Sequence, residues 1–256
     1  MAGRGVGPGA DVTARRTWAT AWRVLAQLRH DRRTAAMLLA VPLLLLTLLR
    51  YVFDGRPALF DQLGPPLLTL FPFTVMFLVT SVSMLRERTS GTLERLLSMP
   101  VAKADLLAGY AVAFGLVAVA QTALAAAVAL GPLGLDVRGP VPLVLLLAVL
   151  GALLGTALGL LLSAFARTEF QAVQFLPAVV LPQLLLCGLF GPREAMARPL
   201  QLLSDVLPMT YAVAGMQRVA TSTEPGRALV VDVVVVVGSI CLALALGAAT
   251  LRRRSP

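Results

Sequence analysis

RERTSGTLERLLSMPVAKADLLAG, residues 86–109, is the stretch on which the reading of this chain turns. It is strongly charged and lies between two long apolar runs. A charged side chain at bilayer depth costs several kcal/mol, so Arg86, Glu87, Arg88, Glu94, Arg95, Lys103 and Asp105 belong in water or against protein. The internal chemistry predicts a short capped helix. Ser90 and Gly91 suit the non-helical start, Glu94 sits in the first turn where a carboxylate favours the dipole, and Pro100 stops the helix. Leu93, Leu96 and Leu97 repeat at helical spacing and form one apolar stripe opposite Glu94 and Arg95. So short a helix is not stable alone and would rest on something larger; an ordinary polar loop between two spans is the competing reading.

Outward from this stretch the chain is mostly membrane. Of its 256 residues 58% are hydrophobic, and the mean hydropathy is +0.84. A soluble domain of this length could not hide so much apolar surface. The expected fold is therefore an all-α integral membrane protein with six transmembrane helices: 35–52, 65–85, 106–130, 141–166, 173–191 and 228–251. With an even number of spans, both termini share a side with the 86–109 loop. That side carries 15 Lys and Arg against 6 acidic residues, whereas the other carries 7 of each. The whole excess of +9 lies on one face, which assigns that face and both termini to the cytoplasm.

The same excess accounts for the basic composition without nucleic acid, since no basic run is interleaved with stacking aromatics. Cys187 and Cys241 fall inside spans and read as small apolar side chains, not as a disulfide or metal site. The single histidine, His30, sits in a basic run and reads as solvated. Ahead of the first span, residues 1–12 are glycine-rich and expected to be disordered. Residues 13–33 predict an amphipathic helix at the membrane surface. Trp18, Trp22 and Leu25 share one face, with Arg15, Arg16, Arg23 and Arg29 on the rest, the arginines turned toward lipid headgroups. Residues 34–254 form the six-span domain.

Within the spans, Pro42 frees a carbonyl that a neighbouring helix can satisfy. Gln121 and Thr122 lie at mid-depth in span 3; helix-to-helix bonding is favoured there over a substrate contact. Gly151, Gly155 and Gly159 repeat every fourth residue and predict a close helix contact, either within the chain or between copies. Thr168 and Glu169 mark a helix start. Gln171, Gln174 and Gln183 are candidates, with Gln121, for a polar path. Between spans 5 and 6, two segments broken at Pro199 and Pro208, the second containing Tyr211, are too short to cross and predict re-entrant helices.

The run Glu87, Gly91, Thr92, Leu93, Glu94, Leu96, Leu97, Pro100, Val101 resembles the signature of type-2 permeases of ATP-binding-cassette (ABC) transporters, most closely the drug-exporter permeases of the daunorubicin-resistance type. The fifth span, with Phe170, Gln171, Leu181, Pro182 and Gln183, and the run Leu207-Pro208-Met209-Thr210-Tyr211 are similar to further parts of that family. One departure stands out: Arg86-Glu87-Arg88 replaces the two acidic residues often found ahead of the glycine. The resemblance implies that 86–109 holds the coupling helix resting on a cytosolic ATPase subunit, with Glu87, Arg88, Gly91, Thr92, Leu93, Glu94, Arg95, Leu97 and Pro100 at the contact. It implies a bacterial inner-membrane exporter of hydrophobic or amphipathic drugs, built from two copies of this chain or from this chain and a sister permease, in contact with membrane lipids. Lipid-linked or polysaccharide cargo, or a non-transporting scaffold that recruits a cytosolic partner, are the alternatives.

Missing chemistry agrees with a subunit that does no catalysis. No Gly-x-x-x-x-Gly-Lys loop is present, and the only lysine, Lys103, is flanked by alanines; ATP and Mg²⁺ are expected in the partner. No carboxylate lies at the centre of a span, Asp232 near the outer end of the last being the nearest, which argues against proton- or sodium-driven transport.

Overall fold

A computed structural model describes residues 8–91, 103–224 and 226–250, with side chains from Arg15 onward and again from Asp105. Thr92, Leu93, Glu94, Arg95, Leu97 and Pro100 lie outside the described residues. In order the helices are α1 (Pro8–His30), α2 (Arg32–Val52), α3 (Pro57–Thr89), α4 (Lys103–Leu130), α5 (Val141–Leu162), α6 (Glu169–Phe175), α7 (Leu181–Leu186), α8 (Arg198–Val206), α9 (Pro208–Thr221) and α10 (Gly226–Thr250). A π-helical turn, Leu176–Val180, joins α6 to α7, making one broken span. Among the described residues six helices are long and apolar enough to cross a membrane: α2, α3, α4, α5, the α6–α7 unit and α10.

Several boundaries differ from the sequence expectation, among them the start of α3, which lies at Pro57 instead of residue 65. α1 begins at Pro8 instead of residue 13, because proline at a first helical position costs no backbone donor and brings its φ ready-made. α3 runs for 33 residues and keeps Arg86, Glu87 and Arg88 helical beyond the apolar run. It ends at Ser90, whose N–H still donates to Arg86 O, and at Gly91, whose φ of +71° closes the helix. Gly91 thus terminates the helix before it, where a left-handed residue is needed and glycine alone takes it without strain. The fifth span starts at Glu169 and its helix ends at Leu186. Thr168 Oγ1 accepts from Gln171 N–H as the helix cap, and Gln171 Oε1 accepts from the N–H of Arg167, the residue before the cap.

The centre of the molecule is the seam between α3 and α5. Gly151, Gly155 and Gly159 lie on Thr69, Phe73 and the Phe77–Ser81 turn of α3, so close that a β-carbon on Gly155 would collide with the Phe73 carbonyl. The glycine ridge is therefore an intramolecular contact, formed by dispersion between backbones, since lipid removes any hydrophobic drive between helices. Phe60, Leu68, Leu70, Phe73 and Phe77 of α3 are buried around it with Leu147 and Leu154 of α5 and Met209, Val213 and Met216 of α9. α9 is 14 residues long, about 21 Å at 1.5 Å per residue, too short for a ~30 Å hydrocarbon core. It is held by packing and by an ion pair between Arg218 and the buried Asp232 of α10.

A second bond joins α2 to α4. Pro42 has no N–H to give the carbonyl four residues back, which is that of Leu38, and Gln121 Nε2 donates to Leu38 O at 2.8 Å. Gln121 is fully buried. Gln121→Leu is expected to cost about 1 kcal/mol in denaturant unfolding of the purified protein. Adding Pro42→Ala, which returns a donor to the helix, should recover most of that loss.

The inner-face platform as candidate functional site

α1 is short of apolar surface, and its buried side is narrow: Ala21 and Val24, flanked by Leu25 and Leu28. It follows the first turns of α4, with Thr17 Oγ1 donating to Asp105 O and Thr20 seated on Gly109. The two tryptophans lie on the opposite side, Trp18 56% and Trp22 65% exposed. Arg29 is exposed as well. Arg23 instead turns inward. Its Nη1 donates to Glu87 Oε1 at 3.1 Å and its Nη2 to the Tyr110 hydroxyl at 2.5 Å. The guanidinium also stands 5.7 Å from the Tyr110 ring centroid.

This trio ties three elements together: α1 through Arg23, the end of α3 through Glu87, and the start of α4 through Tyr110. Tyr110 is 1% exposed, and the Glu87 side chain only 12%. Burial works against the charge on Arg23, but the Tyr110 hydroxyl and the Glu87 carboxylate hold its pKa above the ordinary arginine value. An arginine facing headgroups on a helical wheel therefore has a protein partner 64 residues away. No feature of the sequence pairs them, because a wheel drawn for one helix carries no information about its neighbours.

Next to the trio, Arg86 grips Glu169 with two parallel bonds, Nε to Oε1 at 2.8 Å and Nη2 to Oε2 at 3.1 Å, joining the end of span 2 to the start of span 5. Asp31 caps α2: its carboxylate accepts from the Thr34 hydroxyl and the Thr34 N–H, which hold its pKa below the usual carboxylate range. Arg88, one residue on from the trio, is partly buried. Of these, Arg86, Glu87 and Arg88 are on the last turns of α3, just before Gly91, where the chain leaves span 2.

The other predicted residues are scattered. Gln121 is engaged with Leu38, Gln171 bonds the Thr168 cap and the Arg167 N–H at the start of α6, and Gln183 is buried with its amide on Val179 O of the adjoining π-helical turn. Gln174 is exposed on the fifth span. Pro199 is exposed near the start of α8, and Pro208 is the first residue of α9. Tyr211 donates its hydroxyl to Asp205 O, while Arg193 pairs with Asp205 across the same turn.

Six helices able to cross a membrane, with a charged, cross-braced inner face, define a multi-pass membrane protein. Comparison with known proteins gives the family. A family model described as ABC-2 type transporter matches residues 15–220, and the chain belongs to that family. It is 26% identical over 208 residues to the probable multidrug ABC transporter permease YbhS of Escherichia coli, covering 80% of this chain and 55% of that protein. To the inner membrane transport permease YhhJ of the same organism it is 30% identical over 142 residues, 55% of this chain and 38% of that one. ABC transporter G family member 20 of Dictyostelium discoideum is 28% identical over 157 residues, covering 61% and 22% respectively. The chain thus matches little more than half the length of the first relative and less of the other two.

Proposed function

We propose that this chain is the membrane subunit of an ATP-driven exporter, in which a separate ATPase supplies the force and two permease copies enclose the path. The observation that carries the reading is the braced inner face. Gly91 leaves span 2 one helical turn beyond Glu87, and Glu87 is bonded to Arg23 of α1, which is bonded in turn to Tyr110 of span 3. A push on the 92–102 stretch would move α1 and spans 2 and 3 together, and span 5 through Arg86 and Glu169. Thr92, Leu93, Glu94, Arg95, Leu97 and Pro100 are the proposed contacts with the ATPase. ATP and Mg²⁺ belong to that partner, since this sequence has no phosphate-binding loop.

The cargo in this reading is a hydrophobic or amphipathic drug moved outward. Support comes from the printed name of YbhS, a probable multidrug permease, and from the apolar walls of the spans. Gln174, exposed on span 5, is the proposed polar contact on the path. Spans 1 and 5 leave Leu44, Leu48, Val173 and Leu185 exposed, surface that lipid and a second copy would share.

The test is co-expression with a candidate ATPase and measurement of efflux of a hydrophobic dye together with ATP hydrolysis. Gly91→Pro imposes a φ near −65° where the chain needs +71°. Both Gly91→Pro and Glu94→Arg are expected to drop efflux to background while insertion and ATP hydrolysis persist. Efflux unchanged in both variants would remove the coupling role.

A further inference from the structure

An open cleft of about 310 Å³ lies on the inner face among α1, the first turn of α2, the last turns of α3 and the early turns of α4, a size in the range of small-ligand sites. One wall is apolar: Val24, Leu28 and Phe114. The lining also carries opposite charges, Asp31 and Arg86, with Thr34 in the first turn of the helix that Asp31 caps. Arg86 gives Glu169 its Nε and Nη2, and among the described residues its other N–H groups have no partner, on a side chain that is 59% exposed. The Asp31 carboxylate accepts from the Thr34 hydroxyl and N–H and from the Arg33 N–H, and two oxygens with about four lone-pair sites leave acceptor capacity beyond these. Each of the two feels the other's charge, yet they form no ion pair, Arg86 being committed to Glu169. The remaining charged lining group, Glu87, is already neutralised by Arg23.

A simple cation entering this cleft would meet Asp31 but be repelled by Arg86, and a simple anion would meet the reverse. A zwitterion with a compact ammonium and a phosphate a few ångströms apart satisfies both. The position selects its source. The cleft opens beside the inner ends of spans 1 and 2, and the opposite side of α1 exposes Trp18 and Trp22, residues that favour the headgroup layer. We propose that the cleft binds the headgroup of an inner-leaflet phospholipid of the phosphatidylethanolamine class, with its ammonium on Asp31, its phosphate on Arg86 and its glycerol and first acyl carbons along Val24, Leu28 and Phe114. Such a lipid bridges the junction of α1 and α2 to the end of span 2. The inference needs no assumption about cargo or ATPase.

The test is native mass spectrometry of the purified full chain titrated with phosphatidylethanolamine, phosphatidylcholine and phosphatidylglycerol of identical acyl chains. Phosphatidylethanolamine is expected to bind about tenfold more tightly than the other two, since a trimethylammonium donates no hydrogen bond and glycerol carries no charge. Asp31→Asn removes the charge but keeps a good helix cap, and should lower phosphatidylethanolamine binding about tenfold while sparing phosphatidylglycerol. Leu28→Trp fills the cleft, leaves both charges, and should abolish the preference. Equal retention of the three lipids by the unmodified protein, or a preference that survives both substitutions, would overturn the site. Displacement of the lipid by soluble glycerophosphoethanolamine would overturn the lipid assignment in favour of a free phosphoamine; failure to displace it supports the lipid.

Discussion

Gly155→Leu is expected to abolish the native fold, with little monodisperse protein recovered after extraction and no cooperative unfolding transition. The reason is the position of the α-carbon, not the size of the pocket around it. At Gly155 the two helices approach until the Phe73 carbonyl occupies the place of a side chain, so even one added carbon meets backbone. Backbone cannot change rotamer; the helices must separate, and the contacts around Phe73, Phe77, Leu147 and Leu154 loosen with them. Overpacking typically costs about 1–3 kcal/mol, and more where a backbone must move. Gly155→Ala should already reach the upper part of that range. Gly238 in α10 is the matched control, because nothing lies within 4 Å of the β-carbon it would acquire. Gly238→Ala should be neutral or slightly stabilising, alanine being the better helix former. Equal tolerance at the two positions, read from denaturant unfolding, would show that the seam is not the centre of the fold.

Arg23→Glu should have the second-largest effect, and chiefly on function. It places a carboxylate against Glu87 in a partly enclosed site and takes from Tyr110 the donor that its hydroxyl accepts. Breaking a fully buried pair costs 3–5 kcal/mol; with the Arg23 side chain 29% and Glu87 12% exposed, the loss here is about 2 kcal/mol. In the proposed transport cycle α1 would then no longer follow spans 2 and 3, so efflux should fall more steeply than stability. Glu87→Arg should behave alike, and the exchange of both residues should restore part of each loss, because the pair is reformed in reverse. A double variant no better than the worse single one, in unfolding and in efflux, would show that the contact carries no coupling.

The sequence allowed much of the fold to be read because membrane insertion constrains it so tightly. Runs near 20 residues and a one-sided distribution of Arg determine the spans and the orientation before any contact is known. The spacing of Gly151, Gly155 and Gly159 announced a close approach, although which helix filled it was left open. Pro42 announced an orphan carbonyl, and Gln121 proved to be its partner. What escaped was pairwise and distant: Arg23 with Glu87, Arg86 with Glu169, Arg218 with Asp232. Each joins residues on different helices, and composition is blind to such pairings. Hydropathy also misplaced the end of span 2, because it reports where lipid ends, whereas the helix of α3 continues to Thr89 as long as its backbone bonds are satisfied.

The platform's role can be tested most directly by cross-linking. With Cys187 and Cys241 replaced by alanine, a single thiol introduced as Ser90→Cys would be probed in membranes that also contain the candidate ATPase. Cross-linking to the ATPase that changes when ATP is added, with no labelling by an impermeant thiol reagent from outside the cell, is the predicted result. Labelling from outside, or a thiol that reaches no nucleotide-hydrolysing subunit in any state, would contradict it.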